Sequence, residues 1–354
     1  MGNFWDSVGE ELAARWAAVS VPALVFWLGG LLAWISSQGG FHALKAPADW
    51  LGKQPGPTQI AVVLVALLSV AASGVVVARL TTPVLRLMEG YWPRWLDVVR
   101  RPLVERQVKK AGLISAAFQV VAGPVLTGVP PSTPEQRAEY TRLTHRWRRF
   151  PGPGRYQPTR VGNTLRASES RPVDKYGLDA VAIWPHLWLL LPDTARSELT
   201  TARGSLNAAV GAFIWGMLFV FFGLWTPWAA LAGLVVAAAA YLLWVPNRAE
   251  AYADLVEAAF DLHRGALYNQ LRWPVPKNPQ DERAKGRALT AYLVRGASGA
   301  EPSFTSPPDS GPDGGPGQAS DEGGPATRRR MRSRPSSTDR RKAARLPRTT
   351  RQRG

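Results

Sequence analysis

Leu206–Trp225 (LNAAVGAFIWGMLFVFFGLW) and Trp228–Val245 (WAALAGLVVAAAAYLLWV) are separated only by Thr226 and Pro227. A helix needs about 20 mostly apolar residues to cross a hydrocarbon core of about 30 Å, and both runs come close to that length. So short a connection forces the pair into an antiparallel hairpin. Small residues recur every four positions in each run, at Ala208, Ala212 and Gly216 and at Ala229, Gly233 and Ala237. On a helix this spacing makes one stripe that lets two backbones approach closely. It suits packing inside the hairpin or the interface of a homo-oligomer.

Two further runs stand upstream, at Ser20–Ile35 and Ile60–Leu80. Trp34, Trp225, Trp228 and Trp244 fall at the expected span ends, where indole rings favour the headgroup level. The expected fold class is therefore an all-α integral membrane protein with four transmembrane helices in two hairpins. Ala111–Val129 is uncharged and could be read as another span. Making it one would export the basic stretch Arg137–Lys175, so a re-entrant or interfacial fate is expected for it and for the short segment 180–191.

Lys and Arg set the orientation. Residues 36–59 hold two of them, the hairpin turn none, residues 81–205 nineteen and residues 246–354 twenty. The positive-inside rule then places both termini and the 81–205 segment in the bacterial cytoplasm, below the inner membrane. The first sixteen residues carry one Arg and three acids and show no secretory signal pattern. Of 43 basic residues 35 are Arg, a usage typical of high-GC bacterial genomes.

The expected organisation is an N-terminal membrane hairpin (1–80), a mainly helical cytoplasmic module (81–205), the second hairpin (206–245), a helical stalk (246–297) and a disordered tail (298–354). In the module, the second span is expected to run on to about Val121, kinked or broken at Pro93 and Pro102. Ser132 with Glu135 reads as a capping box opening the next helix, which ends near Arg149 at Pro151-Gly152-Pro153-Gly154. Asp179 and Asp193 read as N-caps. Asn247–Arg272 and Asp281–Arg295 read as helices, the second stopped by Gly296.

Pro158-Thr159-Arg160-Val161-Gly162-Asn163-Thr164-Leu165-Arg166 is followed by Tyr176-Gly177-Leu178-Asp179 and by Trp184-Pro185-His186-Leu187-Trp188. At these residues the chain resembles an uncharacterised group of integral membrane proteins from high-GC bacteria. The resemblance covers about residues 155–195. It implies a shared fold unit and carries no activity with it.

Composition narrows the chemistry. The chain has 354 residues, 46% hydrophobic and 19% charged, with a net charge of +17 and mean hydropathy −0.11. An ordinary domain carries about 25% charge, so the balance reflects apolar runs averaged with a basic tail. No Cys is present, which excludes disulfides, thiolate zinc sites and a Cys nucleophile, and the four His are scattered. Phosphate-loop, dinucleotide, nucleophile-elbow and HExxH patterns are absent. No cofactor or metal is expected. Apart from Arg79, at the edge of its run, the four spans hold no Asp, Glu, Lys, Arg or His, which disfavours an ion-coupled transporter.

Three features remain. Glu250, Asp254, Glu257 and Asp261 form an acidic stripe on one helix face, expected to meet a basic face such as Arg100, Arg101, Arg106, Lys109 and Lys110, or solvent. Arg160, Asn163, Arg166, Tyr176, Asp179 and His186 form a polar set beside the membrane. They suit either a structural network or a site for an anionic headgroup or phosphorylated ligand, because Arg forks bind phosphate bidentately. Residues 298–326 are Gly/Pro/Ser-rich, and residues 327–354 carry twelve bases against one acid. That tail suits the anionic inner leaflet better than nucleic acid, since it lacks aromatic interleaving. The functions that fit are a non-enzymatic membrane scaffold or regulatory module with a protein partner at its cytoplasmic face, a lipid or phospho-ligand handling protein, and an oligomeric passive channel.

Overall fold

The computed structural model describes residues 21–129, 131, 133–297, 299 and 302–305. Among these residues the chain is helical, with no strand. α1 (Val21–Ser37) turns by 109° into a 3-10 turn and α2 (Lys45–Gly52), so the first connection carries a helix of its own. Gly39 and Gly40, at φ 86° and 122°, make the turn.

α3 (Gly56–Glu89) overruns the expected span at both ends and keeps Pro83 inside it. Val63, Leu64, Val65, Leu67 and Leu68 are exposed on it, a surface that suits acyl chains rather than water. It stops at Gly90, whose φ of 100° is the left-handed cap conformation that glycine adopts without strain. A break at Gly90–Pro93 and a 3-10 turn lead into α4 (Asp97–Leu126). Pro93 thus marks the break, whereas Pro102 is carried within α4 near its start. Ala111–Leu126 is the C-terminal half of α4 and packs on α5 (Pro134–Trp147). There Phe118 stacks on Trp147 at 4.9 Å and on Tyr140 at 6.3 Å. The capping box of α5 forms one residue later than expected. Gln136 N–H donates to Thr133 Oγ1 at 3.3 Å and Thr133 N–H donates to Gln136 Oε1 at 3.4 Å. Thr133 wins because Pro134 then occupies the first helical position, where its missing N–H is harmless.

α6 (Arg160–Tyr176) starts at Thr159, whose hydroxyl accepts from Gly162 N–H at 2.9 Å. α7 (Ala180–Leu190) starts, as expected, at Asp179, whose carboxylate accepts from Val181 N–H at 2.9 Å. One side of α7 enters the core, with Ile183 and Leu187 fully buried against Phe260 and Leu267, while Val181 and Leu189 on it are exposed. α8 (Asp193–Phe219) is capped by Pro192, while Asp193 is its first residue and pairs with Arg196 at 2.6 Å. A 3-10 turn, Val220–Leu224, lengthens the expected two-residue connection to α9 (Pro227–Ala239). α9 passes through a π turn, Ala240–Trp244, into α10 (Val245–Gln270). The expected fourth span and stalk helix are therefore one continuous 44-residue helix, Pro227–Gln270. α11 (Pro279–Arg295) ends at Gly296.

Three helices are long and apolar enough to cross a membrane, or four if the bent pair α1–α2 is one span. A polar body of α6, α7, α10 and α11 adjoins them. Its core includes Leu178, Phe260, Tyr268, Trp273 and Leu289. A second cluster, with Leu85, Leu165, Leu206, Val210 and Val245, joins α3, α6, α8 and α10. Of the segment 298–354 expected to be a disordered tail, residues 299 and 302–305 are described. Phe304 lies edge-on to Trp273 and Tyr292, and Thr305 N–H donates to Arg272 O at 2.9 Å. Residues 306–354, including the basic 327–354 segment, lie outside the described residues.

Candidate functional site

The charged residues of the body are organised by two helix faces. On α10, Glu250, Asp254, Glu257 and Asp261 follow one another at spacings of four, three and four. On α6, Arg160, Arg171 and Lys175 share a face at spacings of eleven and four, with the small residues Thr164, Ala167 and Ser168 between them. Those small residues let the helices approach, and the charges pair in matching order, so α6 and α10 run parallel. Arg160 Nη2 meets Glu250 at 2.7 Å, Arg171 Nη1 meets Glu257 at 2.9 Å and Lys175 Nζ meets both Glu257 at 2.6 Å and Asp261 at 3.1 Å.

The end of α5 adds a third rank. Arg149 reaches Glu250 at 2.5 Å, and Arg148 lies 3.1 Å from Glu257 and 3.6 Å from Asp254. The acidic stripe thus meets a basic face, but on α5 and α6 instead of the expected Arg100–Lys110 set of α4. The reason lies in α4 itself, which packs on α5 and leaves Arg101, Arg106 and Lys109 exposed. Burial alone would push the Glu257 carboxyl up, yet Lys175, Arg171 and Arg148 hold it down at about 2. Burial and a 2.6 Å hydrogen bond to Asp261 push the Tyr176 hydroxyl above its ordinary value, so it acts as a donor.

The six polar residues singled out in the sequence are dispersed. Arg160 and Tyr176 stand at opposite ends of the ladder. Asn163, 1% exposed, uses its whole amide on Gln157, accepting its N–H at 2.8 Å and donating to its carbonyl at 2.9 Å. Arg166 pairs with Glu169 at 3.0 Å, and Asp179 caps α7. His186 Nδ1 is enclosed without a partner among the described residues. Of the six, Arg160 and Asn163 line a common cavity, together with Lys110 of α4, Arg146 of α5 and Arg149 just beyond its end. Arg148, Arg149, Arg171 and Lys175 were not singled out in the sequence. The eleven-and-four spacing on α6, set beside the acidic stripe, was the signal available for two of them.

In the hairpin, the small-residue stripes meet each other. A Cβ on Gly216 would stand 2.7 Å from Ala237 N, and one on Gly233 2.7 Å from Gly216 O. Ala229 and Ala237 are buried there, whereas Ala208 is exposed and Ala212 faces a groove of about 430 Å³ between α1, α8 and α9. No group of three or more metal-ligating side chains occurs among the described residues. Comparison with known proteins finds no matching family, no matching curated protein and no matching solved structure.

Proposed function

We propose that this chain is a non-enzymatic scaffold of the bacterial inner membrane, with its polar body and both termini in the cytoplasm and its basic tail drawn to the anionic leaflet. The observation that supports this reading is the outer face of α4. Arg106, Lys109, Leu113, Ala116, Ala117 and Val120 share that face, and all are exposed. Leu113 and Val120 are 75% and 77% exposed. Helix-sized apolar ridges left open on a soluble surface mark sites where another chain packs. The small Ala116 and Ala117 admit a close helix, and Arg106 and Lys109 favour one flanked by carboxylates. The partner is therefore an amphipathic, acidic helix of another protein.

By contrast, the carboxylates of the body are committed to holding α6 on α10. This, with the capping and pairing of their side chains, favours a structural role for Asn163, Arg166, Tyr176 and Asp179 of the Arg160–His186 block. The close fit of Gly216 and Gly233 likewise favours packing within the hairpin over a channel interface. The test is Leu113→Asp with Val120→Asp in the full-length protein. The proposal expects partner recovery from detergent extracts to fall at least about tenfold, while the melting temperature stays unchanged. Undiminished recovery of the same partner overturns it.

A further inference from the structure

A cavity of about 260 Å³ lies where α4, the end of α5 and the first turn of α6 meet. Four cations from three helices line it: Lys110, Arg146, Arg149 and Arg160. Glu250 is the carboxylate that engages two of them, Arg149 and Arg160. Neither Lys110 nor Arg146 has a carboxylate partner among the described residues. One acid thus engages two of four bases, and the excess positive charge lines a half-open cavity in which Arg149 is half-buried and Lys110, Arg146 and Arg160 are exposed. Like charges so arranged repel one another, and an anion placed between them relieves that repulsion. Ile114 and Phe150 supply an apolar wall.

From this arrangement we infer that the cavity is a binding site for a phosphate-bearing anion, a phosphate monoester or polyphosphate, held by Lys110, Arg146, Arg149 and Arg160. Three positive charges beyond the one that Glu250 balances match such an anion better than a singly charged carboxylate or phosphodiester. Arg guanidinium forks bind phosphate oxygens in pairs and Lys adds a point charge. Glu250 is a positioning residue: its two oxygens fix Arg149 and Arg160 at 2.5 and 2.7 Å. Two details agree with the assignment. Arg149 Nε is enclosed and has no acceptor among the described residues. Burial pulls the Arg149 guanidinium below its ordinary value, and Arg160 and Arg146 add to that against Glu250 and Asp254.

Asn163 lines the same space but is spent on Gln157, so the site selects by charge. A bound phosphate ties the middle of α4 to the start of α6 and stiffens the root of the α4–α5 hairpin. The site stands apart from the outer face of α4, and its test does not depend on a partner there.

The experiment uses the full-length protein in phosphatidylcholine nanodiscs, titrated with pyrophosphate by calorimetry. The expected result is saturable binding that Lys110→Ala with Arg146→Ala weakens about tenfold or more, since each removes a charged contact without touching the α6–α10 ladder. Arg106→Ala with Lys109→Ala removes the same charge from the outer face and leaves affinity within about twofold. A second arm replaces pyrophosphate with nanodiscs containing phosphatidate. Binding confined to that arm, and lost in the Lys110/Arg146 variant, keeps the site and names a lipid headgroup as the source. No binding in either arm, or equal loss in both variants, overturns the assignment.

Discussion

Arg171 of α6 donates from Nη1 to both carboxylate oxygens of Glu257 on α10, at 2.9 and 3.2 Å, and Glu257 is 6% exposed. Arg148 and Lys175 close on the same carboxylate at 3.1 and 2.6 Å. One buried acid therefore gathers three cations from α5 and α6. Removing such an acid strands its partners, which is costlier than never having built the pair. Glu257→Gln is expected to lower the stability of the body by about 3 kcal/mol. In a cycle with Arg171→Met, the two losses should be clearly less than additive, and thermal unfolding in detergent measures both.

The same carboxyl sets an acid limit. Its folded value of about 2 lies below the ordinary 4.5, so its contribution is complete above about pH 4.5 and fades as pH falls toward 2. The melting temperature should drop over that window. Glu257→Gln should flatten the drop, because the titrating group is gone. An equal slope in the variant would mean that other carboxyls carry the acid sensitivity.

Gly162, in the first turn of α6, touches the end of α3. A Cβ there would fall 1.9 Å from Glu89 O, which is backbone and cannot swing aside. Gly162→Ala should cost about 2 kcal/mol and loosen the body from the apolar helices, read as faster proteolysis between residues 148 and 160. Gly112→Ala is the matched control. It lies within α4 with nothing nearby, so it should stabilise by about 0.5–1 kcal/mol.

Gly216→Leu tests where the small-residue stripe acts. Because the space beside Gly216 is filled by the α9 backbone at Ala237, the variant should unfold at lower temperature by the same amount at every protein concentration. A loss that shrinks as concentration rises would place the stripe between chains instead.

The apolar helices were legible because lipid-facing composition is local: about 20 apolar residues announce themselves regardless of partners. Helix ends were nearly as plain where a single residue decides them, as with Asp179 and Gly296. They slipped where neighbours compete. Pro134 moved the cap to Thr133, and Pro192 displaced Asp193. The charged set was harder, because a polar residue does not reveal its partner. Arg160 and Arg166 look alike in sequence, yet six positions put them on different faces of α6, one on Glu250 and the other on Glu169. Phe304 shows the converse, a lone aromatic in a Gly/Pro/Ser-rich stretch that docks on Trp273 because that ring leaves an apolar edge beside Tyr292.

The outer face of α4 is best tested by site-specific photo-crosslinking from Leu113 and Val120 in native membranes, with Leu242, exposed on the apolar Pro227–Gln270 helix, as the control, at low and high salt. The account predicts one foreign polypeptide joined at both α4 positions and not at Leu242. Its yield should fall as salt rises or when Arg106 and Lys109 are reversed to Glu. Crosslinks only to lipid or to a second copy of this chain would contradict it.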